Sequence, residues 1–72
     1  MYLTPKIDAI KSLRVAKGLS QHRLSRNAGL AGNAINRIER KESEHIHYLR
    51  AREIAKALDC QVEDIFVKPK GA

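Results

Sequence analysis

The residues best suited to chemistry in this 72-residue chain are asparagines and arginines that share one side of a short segment. Helical spacing places four of them together: Asn33, Asn36, Arg37 and Arg40. An apolar stripe of Leu30, Ile35 and Ile38 lies on the opposite side. Amide and guanidinium groups hydrogen-bond to base edges and phosphates, so this polar face indicates binding to nucleic acid rather than catalysis.

The segment that positions these side chains is SQHRLSRNAGLAGNAINRIER, residues 20–40. Ser20 is a good N-cap, because its hydroxyl accepts from free N–H groups of a first helical turn. Leu24 and Ala28 then share one helical face, and Gly29 follows where a chain leaving a helix needs a left-handed residue. Two short helices joined by a glycine corner predict a helix-turn-helix, the unit that enters the DNA major groove.

The rest of the chain predicts a compact all-α fold in which five helices surround one core. Thr4 is expected to be the N-cap of the first helix, with Pro5 in its first turn. The helices are expected at about 5–17, 21–28, 32–40, 47–58 and 62–66, with a loop over 41–47. Asp59 is expected to end the fourth helix, since Asp tolerates a left-handed conformation. Residues 1–72 form a single domain in this prediction, with a core at 5–66 and a basic tail at 67–72.

Composition narrows the class of protein further. Fourteen basic against eight acidic residues give a net charge of +6, which favours an anionic partner. One cysteine and three histidines give no zinc-type spacing, and no phosphate loop or catalytic triad is present. We therefore expect no enzyme activity, no metal, no cofactor and no small-molecule ligand. No apolar run is long enough to span a membrane, and no signal peptide is evident, so a cytoplasmic location is expected.

Three ordered motifs resemble the Xre-type, lambda-repressor-like helix-turn-helix family of phage repressors and Cro proteins. They are IKSLRVAKGLSQHRLSRNAGL at 10–30, AINRIER at 34–40 and EIAKALDCQVEDIF at 53–66. The resemblance covers about residues 7–66. It implies a five-helix domain whose third helix enters the major groove of double-stranded DNA.

The resemblance also implies roles for individual residues. The positions that meet base edges are Gly32, Asn33, Asn36 and Arg37, of which Asn33 suits adenine and Arg37 suits guanine. The positions that meet the DNA backbone are Ser20, Gln21, Arg40, Lys41 and Lys11, and Gln21 also braces the recognition helix. Arg14 and Glu39 match a structural ion pair between the first and third helices.

Two features depart from the family pattern. Ala31 and Gly32 stand where the family places a Ser or Thr cap, which predicts a poorly capped third helix. An acidic stretch, residues 42–45, replaces the usual basic loop after that helix, and its carboxylates are expected to face phosphates.

The sequence thus predicts a sequence-specific transcriptional regulator, bacterial or phage-encoded, that binds an inverted repeat as a homodimer. The dimer is expected to form through apolar residues near the last two helices: Leu58, Cys60, Val62, Phe66 and Val67. Two alternatives stay open. One is an antitoxin-type protein-interaction module, and the other is the controller protein of a restriction–modification system.

Overall fold

The computed structural model describes residues 1–68, which form five helices and three short strands. In chain order these are β1 (Tyr2–Pro5), α1 (Ile7–Ala16), α2 (Gln21–Asn27), α3 (Ala34–Glu39), β2 (Ile46–His47), α4 (Tyr48–Ala57), α5 (Val62–Ile65) and β3 (Phe66–Val67). All five predicted helices are present, and each lies within one or two residues of its expected bounds.

The helices enclose one hydrophobic core to which every helix contributes. Its fully buried side chains include Ile10 of α1, Leu24 of α2, Ile35 of α3, Ile54 of α4 and Ile65 of α5. Leu30, at the corner between α2 and α3, packs against this core from a half-buried position. The amphipathic stripes seen in the sequence therefore do converge, and they fix α3 against α1 and α2.

The all-α prediction is wrong in one respect, because a three-stranded antiparallel sheet joins both ends of the described chain. β1 is the central strand of the order β2-β1-β3. Leu3 lies opposite Ile46, and Thr4 lies opposite Val67. Val67, which the sequence assigned to the tail, is thus part of the sheet. The remaining tail residues, 69–72, lie outside the described residues.

The expected helix start at Thr4 and Pro5 is also wrong. Side chains of β1 alternate between exposed and buried positions, which is the period of a strand. The segment forms a strand because Leu3 and Pro5 are buried when β2 and β3 pair with it from either side. α1 begins at Ile7 after Lys6, whose side chain makes no cap hydrogen bond and whose backbone N–H donates to the Ile65 carbonyl at 2.8 Å.

Left-handed residues end α2 and α4, and another follows α3. Gly29 has φ 75° and Asp59 has φ 55°, as the sequence predicts. Lys41 has φ 65°, which the sequence did not predict. A left-handed conformation costs a non-glycine residue roughly 1–2 kcal/mol, so Lys41 marks a strained turn directly after α3.

Candidate nucleic-acid interface

The interface is built on α2 and α3, and the first part of it is the cap of α2. Ser20 Oγ accepts a hydrogen bond from the backbone N–H of Arg23 at 3.0 Å. This is the capping geometry that the sequence predicts. The hydroxyl that was expected to meet a phosphate therefore has its first partner within the protein.

α3 begins two residues later than expected, at Ala34, and its cap comes from another helix. Asn33 is the residue before the helix, and its side chain makes no cap hydrogen bond. Instead, the buried hydroxyl of Ser25 in α2 accepts from the backbone N–H of Ile35 at 3.0 Å. Ser25 Oγ also donates to the Gln21 carbonyl at 2.8 Å. The expectation of a poorly capped α3 is corrected by this contact, because local sequence cannot show a cap supplied from α2.

The faces of α3 are separated as a groove-binding helix requires. Ile35 and Ile38 are buried, whereas Asn33 and Arg37 are exposed and Asn36 is half-buried. The structure thus brings three of the four predicted base-contacting residues to one accessible side of α3.

Gly32, the fourth of these residues, lies in the turn before α3 under an imidazole ring. A Cβ added to Gly32 would lie 2.7 Å from Cε1 and Nδ1 of His22. A residue without a side chain can let a partner approach its backbone closely. The ring of His22 occupies that position, so DNA meets Gly32 only where this exposed ring moves aside.

A buried ion pair fixes the end of α3 to α1. Arg14 Nε donates to Glu39 Oε2 at 2.8 Å, and Arg14 Nη2 donates to Glu39 Oε1 at 3.1 Å. The two side chains are only 11% and 6% exposed. Arg14 Nη1 also donates to the Leu19 carbonyl at 2.9 Å. The ion pair expected from the sequence is therefore present, and its role is structural.

Gln21 extends this ion pair toward the exposed face of α3. Its Nε2 donates to Glu39 Oε1 at 2.9 Å, and its Oε1 accepts from Asn36 Nδ2 at 2.9 Å. Both ends of the Gln21 amide are therefore engaged within the protein. Gln21 braces α3 as expected, and the second N–H of its Nε2, which makes no hydrogen bond within residues 1–68, is the donor left for a phosphate.

The charge of Glu39 is maintained by its partners. Burial by itself raises the pKa of the carboxyl group, but hydrogen bonds from Arg14 and Gln21, with the charges of Arg14 and Lys11, lower the pKa below its ordinary value. Glu39 is therefore a carboxylate at neutral pH. Lys11, a predicted phosphate contact, is exposed and is the smallest of these favourable influences on Glu39.

Cations and one carboxylate border the exposed face. Arg37, Arg40 and Lys41 are exposed, as phosphate or base contacts must be. Glu42 Oε2 lies 3.0 Å from Arg40 Nε, and Glu42 Oε1 lies 4.0 Å from Arg37 Nε. The acidic residue thus offsets part of the positive charge of both arginines.

Arg50 of α4 is a candidate DNA-contacting residue that the sequence analysis missed. A cleft of about 270 Å³ separates α3 from α4, and Arg37, Asn33 and Arg50 all line it, with Ile38 and Ile54 on its apolar side. Arg50 is an exposed residue of α4 that the sequence motifs did not single out. Arg50 lines the same cleft as Arg37 because of how α4 packs against α2 and β2, for which the sequence carries no local signal.

The predicted dimer residues divide into two groups. Leu58 and Phe66 are 0% and 1% exposed and belong to the core, so their assignment to a dimer surface is wrong. A small domain needs both side chains to complete its own core. Cys60 and Val62 are half-buried, and Val67 is 49% exposed. Burial, with the charge of Asp64, raises the pKa of the Cys60 thiol, which favours a packing role over reactivity.

Within residues 1–68, no helix has the length and apolarity needed to cross a membrane. In the same part of the chain, no three His, Cys, Asp or Glu side chains are grouped so that they could hold a metal ion.

Comparison with known proteins gives the family. The helix-turn-helix family model HTH_3 matches residues 10–65. A search of curated proteins finds no match. Among solved structures, the restriction–modification controller protein C.AhdI from Aeromonas hydrophila is 29% identical with a TM-score of 0.74, over 81% of this chain and 86% of that one.

Two structures solved with DNA are also similar. SinR, a master regulator for biofilm formation, is 28% identical with a TM-score of 0.73, over 79% of this chain and 90% of that one. The P22 c2 repressor in complex with a synthetic operator is 26% identical with a TM-score of 0.71, over 79% of this chain and 85% of that one. This chain therefore belongs to the Xre-type, lambda-repressor-like helix-turn-helix family of DNA-binding transcription regulators, which are not enzymes.

Proposed function

We propose that this protein binds an inverted-repeat operator as a homodimer and regulates transcription from the adjacent promoter. The observation that carries this proposal is the division of α3 into a buried side, with Ile35 and Ile38, and an accessible side, with Asn33 and Arg37. A helix held in this way presents base-specific groups on a rigid support.

The proposed contacts have different tasks. Arg37 and Asn33 recognise base edges, since guanidinium and amide groups pair with guanine and adenine in the major groove. Arg40, Lys41 and Lys11 hold phosphates on either side of α3, and Arg50 joins them from α4. The phosphate contacts set position and overall affinity, whereas the base contacts select sequence.

The homodimer uses the surface near α5 and β3 that remains after the core is complete. Cys60, Val62 and Val67 supply its apolar part. Two copies related by a two-fold axis would place their α3 helices about one DNA turn, or ~34 Å, apart. The operator would therefore be an inverted repeat with that spacing.

A second candidate is the controller of a restriction–modification system, which shares the DNA chemistry and differs in its target. The similarity to C.AhdI over 81% of this chain favours it as the second candidate. A selected consensus that occurs beside restriction or modification genes would support the controller. The antitoxin-type alternative stays a prediction, and a co-purifying protein partner would support it.

Selection of tight binders from random DNA duplexes at about 150 mM salt tests the main proposal, because non-specific attraction is weak there. We expect a two-fold symmetric consensus. Salt-sensitive binding without enrichment of any sequence would contradict specific recognition by α3. An enriched but asymmetric site would contradict the two-fold dimer alone.

A further inference from the structure

A chain of hydrogen bonds runs from the buried ion pair to the exposed side of α3. Glu39 accepts from Gln21 Nε2, and Gln21 Oε1 accepts from Asn36 Nδ2, both at 2.9 Å. This chain of hydrogen bonds begins at Glu39, whose side chain is 6% exposed, and ends at Asn36, which is half-buried. It thus connects a fixed charge to a residue expected to meet a base.

The carboxylate of Glu39 determines which group donates and which accepts in each hydrogen bond between Glu39, Gln21 and Asn36. A carboxylate accepts hydrogen bonds and has none to donate, and Arg14 keeps Glu39 ionised. Gln21 must therefore turn its amide nitrogen toward Glu39, which turns its oxygen toward Asn36. Asn36 can then meet Gln21 only by donating. An uncharged group in place of Glu39 would leave both directions available.

We propose that Glu39 is a positioning residue for base recognition, which acts through Gln21 to hold Asn36 with its carbonyl oxygen presented to the DNA. Within residues 1–68, that oxygen receives no side-chain hydrogen bond, so it is available to a base. The inference rests on the proposed function, because it assigns a specificity to one of its base contacts.

The fixed orientation selects a class of base. Asn36 presents one carbonyl oxygen and its second N–H, a pair that matches N6 and N7 of adenine. Cytosine offers only its amino group, which can donate to the Asn36 carbonyl oxygen but gives the Asn36 N–H no acceptor. Guanine and thymine present only acceptors in the major groove and give the carbonyl oxygen no partner. The reversed orientation would present two N–H donors and would suit guanine instead.

The test uses the consensus site of the wild-type protein. The base pair contacted by Asn36 is the one at which Asn36→Ala loses its preference. Dissociation constants are then measured for all four base pairs there. We expect the wild-type protein to prefer adenine over guanine by about tenfold or more, the range for a good bidentate contact.

Gln21→Met is the principal variant, because it interrupts the chain of hydrogen bonds and leaves Arg14 paired with Glu39. We expect its preference at this position to fall to within about threefold, with the preference at the Arg37 position retained. Glu39→Gln should reduce the preference in the same way, since its amide permits both orientations of Gln21.

Arg14→Lys is the matched control, because it removes the paired guanidinium hydrogen bonds of the same ion pair but keeps a positive charge beside Glu39, so that the carboxylate still faces Gln21. We expect it to keep the preference for adenine. Circular dichroism confirms that each variant is folded at the temperature of measurement.

The outcomes separate this inference from the function on which it rests. A preference that is retained in Gln21→Met, or lost equally in Arg14→Lys and Glu39→Gln, overturns the positioning role. A wild-type consensus that Asn36→Ala leaves unchanged overturns the positioning role only. The absence of any wild-type consensus overturns the proposed function as well.

Discussion

The hydroxyl of Ser25 accepts the backbone N–H of Ile35 at 3.0 Å, so that α2 caps the helix that follows it. The hydroxyl is buried, and its own hydrogen goes to the Gln21 carbonyl. One side chain thus satisfies a buried amide of α3 and sets the position of α3 relative to α2. The accessible side of α3 depends on this contact.

Ser25→Ala should lower the free energy of unfolding by about 1–3 kcal/mol, because it leaves the Ile35 N–H without its partner in a buried site. Urea denaturation measures the change. Ser12→Ala, on the exposed side of α1, is the control and should stay within about 0.5 kcal/mol of the wild-type protein. Equal stability of the two variants would contradict the capping role of Ser25.

Lys41→Gly should separate stability from DNA binding. Lys41 has φ 65°, a conformation that glycine adopts without the steric cost of a side chain. The variant should therefore gain about 1 kcal/mol in free energy of unfolding. It should also bind all DNA sequences more weakly, because a phosphate contact is lost.

Fluorescence anisotropy across a range of salt concentrations measures the second effect. The slope of log affinity against log salt should become shallower by about one in the variant. Lys56→Ala is the control, since Lys56 is exposed and lies with Asp59 and Cys60 at the end of α4, outside the proposed interface. An unchanged salt slope in Lys41→Gly would show that Lys41 does not hold a phosphate.

Glu42→Gln should strengthen DNA binding. Glu42 pairs with Arg40 at 3.0 Å and lies 4.0 Å from Arg37, so its removal frees positive charge beside the proposed base contacts. Exposed ion pairs are worth up to about 1 kcal/mol, which limits the gain in affinity to about fivefold. Anisotropy at low salt measures the change. Weaker binding of the variant would indicate that Glu42 orients the two arginines for DNA binding and does not compete with DNA for them.

Glu39 should make stability depend on pH in the acid range. Its pKa in the folded protein is lowered, so its ion pair stabilises the fold at neutral pH and loses its effect as pH falls below the ordinary carboxyl range toward the folded pKa. Removing one partner of a buried pair costs about 3–5 kcal/mol. The wild-type protein should therefore exceed Glu39→Gln in stability at pH 7, and the difference should shrink below about pH 4.5.

Urea denaturation of both proteins between about pH 7 and pH 3 gives this difference, in which the other carboxyl groups cancel. A difference that is constant over the whole range would contradict a charged Glu39 as the source of stability.

The sequence predicted the five helices because their apolar residues recur at helical spacing, as in Ile35 and Ile38 of α3. It predicted Gly29 and Asp59 as left-handed residues because both types tolerate that conformation. The strands could not be predicted in the same way. Each of β2 and β3 has two residues, too few for a period, and β1 is a strand only because distant parts of the chain pair with it.

The candidate site, like the fold, could be predicted from the sequence only in part. The polar side of α3 and the Arg14–Glu39 pair were predictable from spacing and family resemblance. The cap from Ser25, the ring of His22 over Gly32 and the position of Arg50 on the cleft that Arg37 also lines were not, because each depends on how two elements pack. Leu58 and Phe66 were assigned to a dimer surface because the sequence shows that both are apolar. The sequence does not show whether the core of the domain encloses them.

The central claim is that α3 selects a DNA sequence, and parallel selections with the wild-type protein and Arg37→Ala at about 150 mM salt test it most directly. Arg52→Ala is the control, since helical spacing places Arg52 on the side of α4 away from Arg50. We predict that Arg37→Ala enriches a site that has lost its preference at one base pair in each half, with about 5- to 150-fold weaker binding to the wild-type site. The control should enrich the wild-type consensus. An unchanged consensus in Arg37→Ala would contradict base recognition by this face of α3.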